Sequence, residues 1–224
     1  MMAQKVRESP LFAGLSMREY DALIDVWQPE TVILSKDGIL IEEGGRASAF
    51  WIVTDGRLKG ARYHYDGRLD LVHLYAERDI VGLDVICTRT RKSPLRISAV
   101  DAARLAAFHA AVLDGNRLSE ETTGRLRMNI IRILADESIR KQYKIDVLYQ
   151  RSLRARIAVF LRHMSEKVGE DVFDVNMDRE QFAHYLGVNR SALSHALSLM
   201  SKEGVIRFRK GRFEILNKQA LEEK

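Results

Sequence analysis

Residues 186–215 read LGVNRSALSHALSLMSKEGVIRFRKGRFEI, and their spacing sorts them by chemistry. At about 100° per residue, Arg190, Ser191, Ser194, His195 and Ser198 fall within roughly 140° of helical arc. Ala192, Leu193, Ala196, Leu197, Leu199 and Met200 take the opposite arc. A face of short hydrogen-bonding side chains with a cation near the helix N-terminus suits an approach to base edges in a major groove. Arg190, Ser191, Ser194 and His195 are therefore the base-reading candidates. The stretch VIRFRKGRFEI has the form of a hairpin with Lys210-Gly211 at its tip. Its Arg207, Arg209, Lys210 and Arg212, together with Asn189 and Ser198 on the helix, are the phosphate candidates, which fix register and affinity rather than sequence. The chemistry is hydrogen bonding and charge neutralisation.

Bond-making chemistry finds little support. The single cysteine, Cys87, cannot form an intramolecular disulfide or a thiolate cluster, and it is expected to be a small buried hydrophobe. His64 and His73 stand nine positions apart with no His-x-His pair, and no serine has a partnered base, so no catalytic or metal-ligating set is assigned. A cupin-like metal-dependent enzyme with a basic appendage is the remote alternative.

Charge is unevenly spread. Residues 1–150 hold 22 Lys and Arg against 21 Asp and Glu, whereas residues 151–224 hold 14 against 10. Within 189–218 the balance is 7 to 2, a local excess that attracts a polyanion. Apolar runs are short, and Lys5, Arg7 and Glu8 interrupt the N-terminus where a signal peptide needs an apolar core. The expectation is a cytoplasmic protein that does not act at a membrane.

Three kinds of element must position these residues. SPLFAGLSMREYDALIDVWQ (9–28) has helical spacing, with Ser16 as cap and Glu19 three residues on. From 30 to 108 come short β-rich runs, TVILS, ILIEE, AFWIVT, RLKGARYHY, RLDLVHLY, LRISAV and ARLAAF, punctuated by glycines. Such punctuation indicates an antiparallel roll, and HYDGRL is its best hairpin signal, with Asp-Gly supplying positive φ angles. Residues 117–149 read as one long helix capped by Ser119. Its apolar positions, Leu126, Ile130, Ile131, Ile133, Leu134, Ile139, Ile145 and Leu148, cover more surface than one neighbour buries, as expected of a helix that also packs on a second copy of itself. After a bend near 149–151, a helix begins at Ser152. Asp178 with Gln181 forms a capping box, Gly187 ends that helix, and Asn189 caps the next: helix, Gly-containing turn, helix. The fold class is α+β: an N-terminal antiparallel, jelly-roll-like β-roll with a helical lead-in (1–116), a long central dimerisation helix (117–150) and a C-terminal winged helix-turn-helix (151–224).

Over nearly its full length the chain resembles the Crp/Fnr family of bacterial transcription regulators. The resemblance is carried by SPLFAGLS, by the glycines Gly38, Gly44, Gly56, Gly67 and Gly82, and by LGVNRSALSHALSLMSKEGVI. It implies a homodimer, joined through 117–150, that binds double-stranded DNA at a two-fold symmetric operator, with RNA polymerase as a further partner if the regulator activates. Family members often carry a glutamate where Ser191 stands and an arginine where His195 stands, so the half-site preference does not carry over. The sensor departs further. Cyclic-nucleotide binders pair a glycine-glutamate with an arginine-serine, and VGLDVICTRTRKSPLRISAV has Leu83 after Gly82 and Ser93-Pro94 in place of Arg-Ser. Cyclic AMP is disfavoured. An iron-sulfur cluster lacks cysteines, and haem stays open through His64, His73 or His109. The resemblance leaves an unidentified small-molecule effector, with Gly82, Leu83, Asp84, Arg91, Ser93, Pro94, Gln142 and Tyr143 as pocket candidates. A constitutive DNA binder with a degenerate sensor is the second reading.

Overall fold

Ser16 and Glu19 start the first long helix, and both halves of the capping box form. α1 (Met2–Arg7) and a short 3-10 turn (Pro10–Phe12) precede α2 (Met17–Trp27). The Ser16 N–H donates to the Glu19 carboxylate at 2.8 Å and the Glu19 N–H to the Ser16 hydroxyl at 3.3 Å. α2 buries Tyr20, Leu23 and Trp27. The computed structural model describes residues 2–114 and 118–222, so the expected boundary at 116/117 lies outside the described residues. The chain divides into two units, Met1–Glu137 and Ser138–Lys224.

In the first unit the seven β-rich runs become β1 (Glu30–Leu34), β2 (Ile39–Ile41), β3 (Ala49–Asp55), β4 (Leu58–Tyr63), β5 (Leu69–Tyr75), β7 (Arg96–Ala99) and β8 (Ala103–His109). Between them lie β6 (Ile80–Val81) and the single-turn α3 (Leu83–Ile86), both too short to leave a period in the sequence. Two antiparallel sheets form, ordered β1-β8-β3-β6 and β2-β7-β4-β5. Ile52 and Leu105 from one and Leu58 and Ile97 from the other share a single core. Phe50 and Phe108, paired across β3 and β8, stack 5.1 Å apart, and Phe12 and Trp27 of the lead-in close over Phe108 at 6.0 and 5.8 Å. The HYDGRL hairpin differs from expectation in one respect: among its turn residues only Gly67 takes a positive φ, 82°, because the loop closes between His64 and Arg68 instead of in two residues. Gly56, at φ 77° after β3, has no room for a side chain, since a Cβ would stand 2.3 Å from the Ala102 carbonyl oxygen.

α4 (Glu120–Leu148) opens on Ser119, whose hydroxyl accepts the Thr122 N–H at 3.2 Å. Its first half reads the SPLFAGLS segment directly. The Asn129 amide donates to Leu11 O at 3.0 Å and Ala13 O at 2.9 Å, and Arg125 donates to Gly14 O at 3.1 Å. Leu126, Ile130 and Ile133 pack on the roll core. On the other side Met128, Ile131 and Ile139 are exposed; with Ala135 and Gln142 they lie within about 80° of arc. The division between the two units falls inside α4, so the helix read as a part of its own contributes to both: Val147 belongs to the second core.

The second unit continues with α5 (Leu153–Val168), capped by Ser152, then β9 (Val172–Asp174), α6 (Arg179–Leu186), α7 (Arg190–Lys202), β10 (Ile206–Arg209), β11 (Arg212–Ile215) and α8 (Gln219–Glu222). Ile157, Phe160, Leu161, Phe182, Leu186, Leu193, Leu197 and Phe213 form its core. β9 pairs with β11, a third strand that no sequence signal announced. On α5, His163 packs its ring 4.6 Å from that of Tyr143, and its Nδ1 is buried without a hydrogen-bond partner among the described residues.

Two outcomes follow from this packing. Gly56→Ala meets both the positive φ and the Ala102 carbonyl, and should cost about 3 kcal/mol or more of stability, read by chemical denaturation of the full chain. His163 is held below its ordinary 6.5 by burial first and Arg162 second, against the opposing pull of Glu166 and Asp146. The unfolded chain therefore takes up that proton first, and stability falls as pH drops below about 6.5 towards the folded value. His163→Leu should flatten this slope in melts between pH 7.5 and 5.5; an unchanged slope would remove His163 from the acid response.

Candidate nucleic-acid interface

Capping places the two helices. Asp178 accepts from Glu180 N at 2.9 Å and Gln181 N at 2.8 Å, while Gln181 returns to the Asp178 N–H at 3.0 Å, which completes the box on α6. Gly187 stops α6 at φ 68°, and its N–H reaches back to the carbonyls of Ala183 and His184. Two residues later Asn189 accepts the Ala192 N–H at 2.8 Å and the Ser191 hydroxyl at 2.7 Å through the same oxygen. That oxygen is filled, so the amide NH2 is the end left to meet a partner, and it is a donor.

α7 buries Leu193, Leu197 and Met200. Ser191, His195 and Ser198 are exposed, as is Arg190 at the N-terminus, while Ser194 is half-buried at the flank. Ser198 donates to the Ser194 carbonyl at 2.8 Å. Leu199 corrects the expected division: it is 42% exposed. The buried side is centred on Leu193, Leu197 and Met200, which puts Leu199 roughly 120° away, beside His195.

The wing is β10 and β11 joined at Lys210 and Gly211, with φ of 47° and 91°. Two positive φ angles in a two-residue loop match the right-handed twist of the strands. Phe213 is buried and its ring lies 5.8 Å from that of Phe208. The four wing cations are not equivalent. Arg207 pairs with Glu214 at 2.7 Å and Arg212 with Asp174 at 3.5 Å, each across the sheet in register. Among the described residues Arg209 and Lys210 have no such carboxylate.

Arg179, the first residue of α6, is a cation that sequence reasoning passed over. Its guanidinium stacks 4.9 Å over the Phe208 ring, which joins α6 to the wing. Burial, and then the like charge of Arg190, draws it below its ordinary value, so the two arginines that begin α6 and α7 feel each other. The signal in the sequence is a cation directly after the Asp178 cap, at the first position of the helix.

The pocket candidates occupy different settings. Gly82 precedes α3 and Leu83 is buried in the roll core. Asp84 is half-buried and accepts the Val85 N–H at 2.9 Å. Arg91 is half-buried, with its carbonyl taken by Ala47 N at 2.8 Å. Ser93 is buried and gives its hydroxyl to Leu95 O at 2.7 Å, and the exposed Pro94 offers its carbonyl to Arg62 at 3.4 Å. Gln142 and Tyr143, on the second unit, are both exposed; Gln142 donates to Asp146 at 3.1 Å. Leu83 offers no polar group at this position, and the buried Ser93 hydroxyl is already committed.

Cys87 is another correction: it is exposed at the end of α3, because one turn of helix does not carry it into the core. Partial burial and Asp84 still hold its thiol above the ordinary value. Among the haem candidates, His64 Nε2 lies 2.6 Å from Asp70, His73 meets Tyr75 edge-on at 4.2 Å, and His109 is exposed at the end of β8. Among the described residues no three of His, Cys, Asp and Glu gather to hold a metal ion.

A model of the Crp-like helix-turn-helix domain matches residues 155–224. A protein of Thermus thermophilus described as cyclic AMP receptor protein is 24% identical over 218 residues, which cover 97% of each chain. Among solved structures, a CooA mutant from Carboxydothermus hydrogenoformans is similar with a TM-score of 0.71 at 18% identity, covering 88% of both chains. A Crp/Fnr-family transcriptional regulator from Thermus thermophilus has a TM-score of 0.56 at 17% identity, covering 86% of this chain and 96% of that one.

The paired wing yields a prediction. Glu214→Gln removes the partner of Arg207, and should raise affinity for random duplex at low salt and steepen the logarithmic salt slope by about 1. Titrations between 50 and 200 mM salt read this; an unchanged slope would mean that Arg207 does not face the duplex.

Proposed function

We infer that this chain, a DNA-binding transcription regulator of the Crp/Fnr type, grips a two-fold symmetric duplex as a homodimer paired through residues 117–150. Because the chain is a regulator of this type, the metal-dependent enzyme reading falls away. The observation that carries the inference is the exposed Ser191, His195 and Ser198 face of α7, set between two capped helix starts and a wing with cations at its tip. Arg190, Ser191, Ser194 and His195 take the base-reading role. Asn189 and Ser198 hold phosphates from the helix, with Arg179 added, and Arg209 and Lys210 hold them from the wing tip; Arg207 and Arg212 contribute only as far as their carboxylates allow.

The exposed strip of Met128, Ile131 and Ile139 on α4 supports pairing with a second copy, since its opposite side is already spent on the cores. Two-fold pairing sets half-sites about one helical turn apart. The roll takes the sensing role, with a small organic effector other than cyclic AMP near Gly82, Asp84 and Arg91, and its binding shifts the packing of the paired α4 helices. RNA polymerase becomes a partner if the outcome is activation. No helix among the described residues is long and apolar enough to cross a membrane, and a cytoplasmic site of action fits a chain that meets DNA.

Selection of the full-length protein on a random duplex pool tests this. A two-fold symmetric motif is the expected result. Arg190→Ala should then relax discrimination at one position per half-site by about 1–3 kcal/mol, whereas Lys210→Ala should weaken specific and random duplexes alike. A motif recovered with no effector present would favour the constitutive reading, and equal losses on both duplexes from both variants would sink the division of roles.

A further inference from the structure

The turn that aims α7 is held from behind by one side chain. Arg156, half-buried one turn into α5, donates through Nε to Gln150 O at 3.1 Å and through Nη1 to Leu186 O at 2.9 Å. Gln150 lies in the link between α4 and α5. Leu186 ends α6, next to Gly187 and three residues before the Asn189 cap of α7. The last turns of α4 converge on the same place: the Lys144 ammonium sits 3.7 Å over the Tyr185 ring, Val147 shares a core with Leu186, and a Cβ on Gly187 would stand 3.8 Å from Arg156 Nη1 and 4.0 Å from a Leu148 methyl.

Both acceptors of Arg156 are neutral carbonyls, and that of Leu186 is one of the C-terminal groups a helix leaves without an internal partner, at the negative end of its dipole. A guanidinium is planar, so two donors in one plane fix the distance between their acceptors more tightly than a lysine could.

We propose that Arg156 is a positioning residue that ties the end of α4 to the Leu186–Asn189 turn and so sets the direction of α7. A displacement of Gln150 relative to Leu186 breaks at least one of the two bonds, and the start of α7 is released with it. Base reading requires a fixed helix direction, whereas phosphate contact tolerates a range of them. The clamp therefore acts on discrimination more than on bulk affinity. This rests on α7 being the base-reading helix.

Arg156→Gln and Arg156→Lys in the full-length chain test it by two measurements. In hydrogen exchange, Arg156→Gln should accelerate amides 186–193 by about tenfold, the loss of one charge-assisted bond, while the wing strands 206–215 stay within about twofold of wild type. On DNA, affinity for the duplex selected by wild type should fall about tenfold and affinity for random duplex should stay within about twofold. Arg156→Lys should lie between, since its ammonium meets one carbonyl at a time. Unchanged exchange at 186–193 overturns the proposal. So does equal acceleration across 138–222 with equal losses on both duplexes, which marks a merely structural role. If wild type selects no motif, the premise about α7 fails, and the exchange measurement alone decides whether the clamp exists.

Discussion

The side of α7 that is buried decides what the helix can offer outward. Leu193, Leu197 and Met200 are at most 1% exposed, and burying each contributes about 2 kcal/mol. Turning the helix by one residue would bring Ser194 and Ser198 inward and push two of the three into water, a cost no capping bond could offset. Phe182 of α6, Phe160 of α5 and Phe213 of the wing meet the same core, their rings 4.8 and 6.0 Å apart, so that one constraint fixes α5, α6, α7 and the wing within their unit. The exposed face is a residual of this packing, and its chemistry is whatever the sequence places there.

α4 meets an opposite demand, because it is asked to be apolar on more than one side. Towards the roll it presents Leu126, Ile130 and Ile133 together with Asn129, a buried amide whose cost is met by the carbonyls of Leu11 and Ala13. Its other side keeps Met128, Ile131 and Ile139 in water. Burying such a strip against a second copy, as proposed above, would add apolar area to the area that α4 already spends on the roll.

Features set by short-range chemistry were legible in the sequence. The caps at Ser16, Ser119, Ser152, Asp178 and Asn189 all form, because cap, N2 and N3 residues are neighbours in the chain. Seven strands could be read from apolar runs and turn residues, whereas β6 and β9, two and three residues long, are strands only because a partner lies beside them. The same distinction runs through the interface. The polar arc of α7 could be read by angle, but the exposure of Leu199 depends on where the core is centred. The pairing of Arg207 with Glu214 and of Arg212 with Asp174 depends on strand register, and the stacking of Arg179 on Phe208 depends on a contact between α6 and the wing. Cys87 was misread for a similar reason, since nothing in its neighbours says that α3 lasts only one turn.

Register also changes what the basic tail can do. A cation held against a carboxylate presents a dipole whose field fades faster than that of a charge, and physiological salt screens the remainder within about 8 Å. Counting Lys and Arg therefore overstates the pull of this surface on a polyanion. Among the described residues four cations without such pairs stand where geometry multiplies them: Arg190 and Arg179 at helix starts, where backbone N–H groups add positive potential, and Arg209 and Lys210 at the tip of a tight turn. A few rigidly held charges supply less sequence-independent affinity than a wholly unpaired wing would. Discrimination is the ratio of specific to non-specific binding, so if α7 takes the base-reading role proposed above, a small non-specific term leaves more of it to the hydrogen-bonding face of that helix.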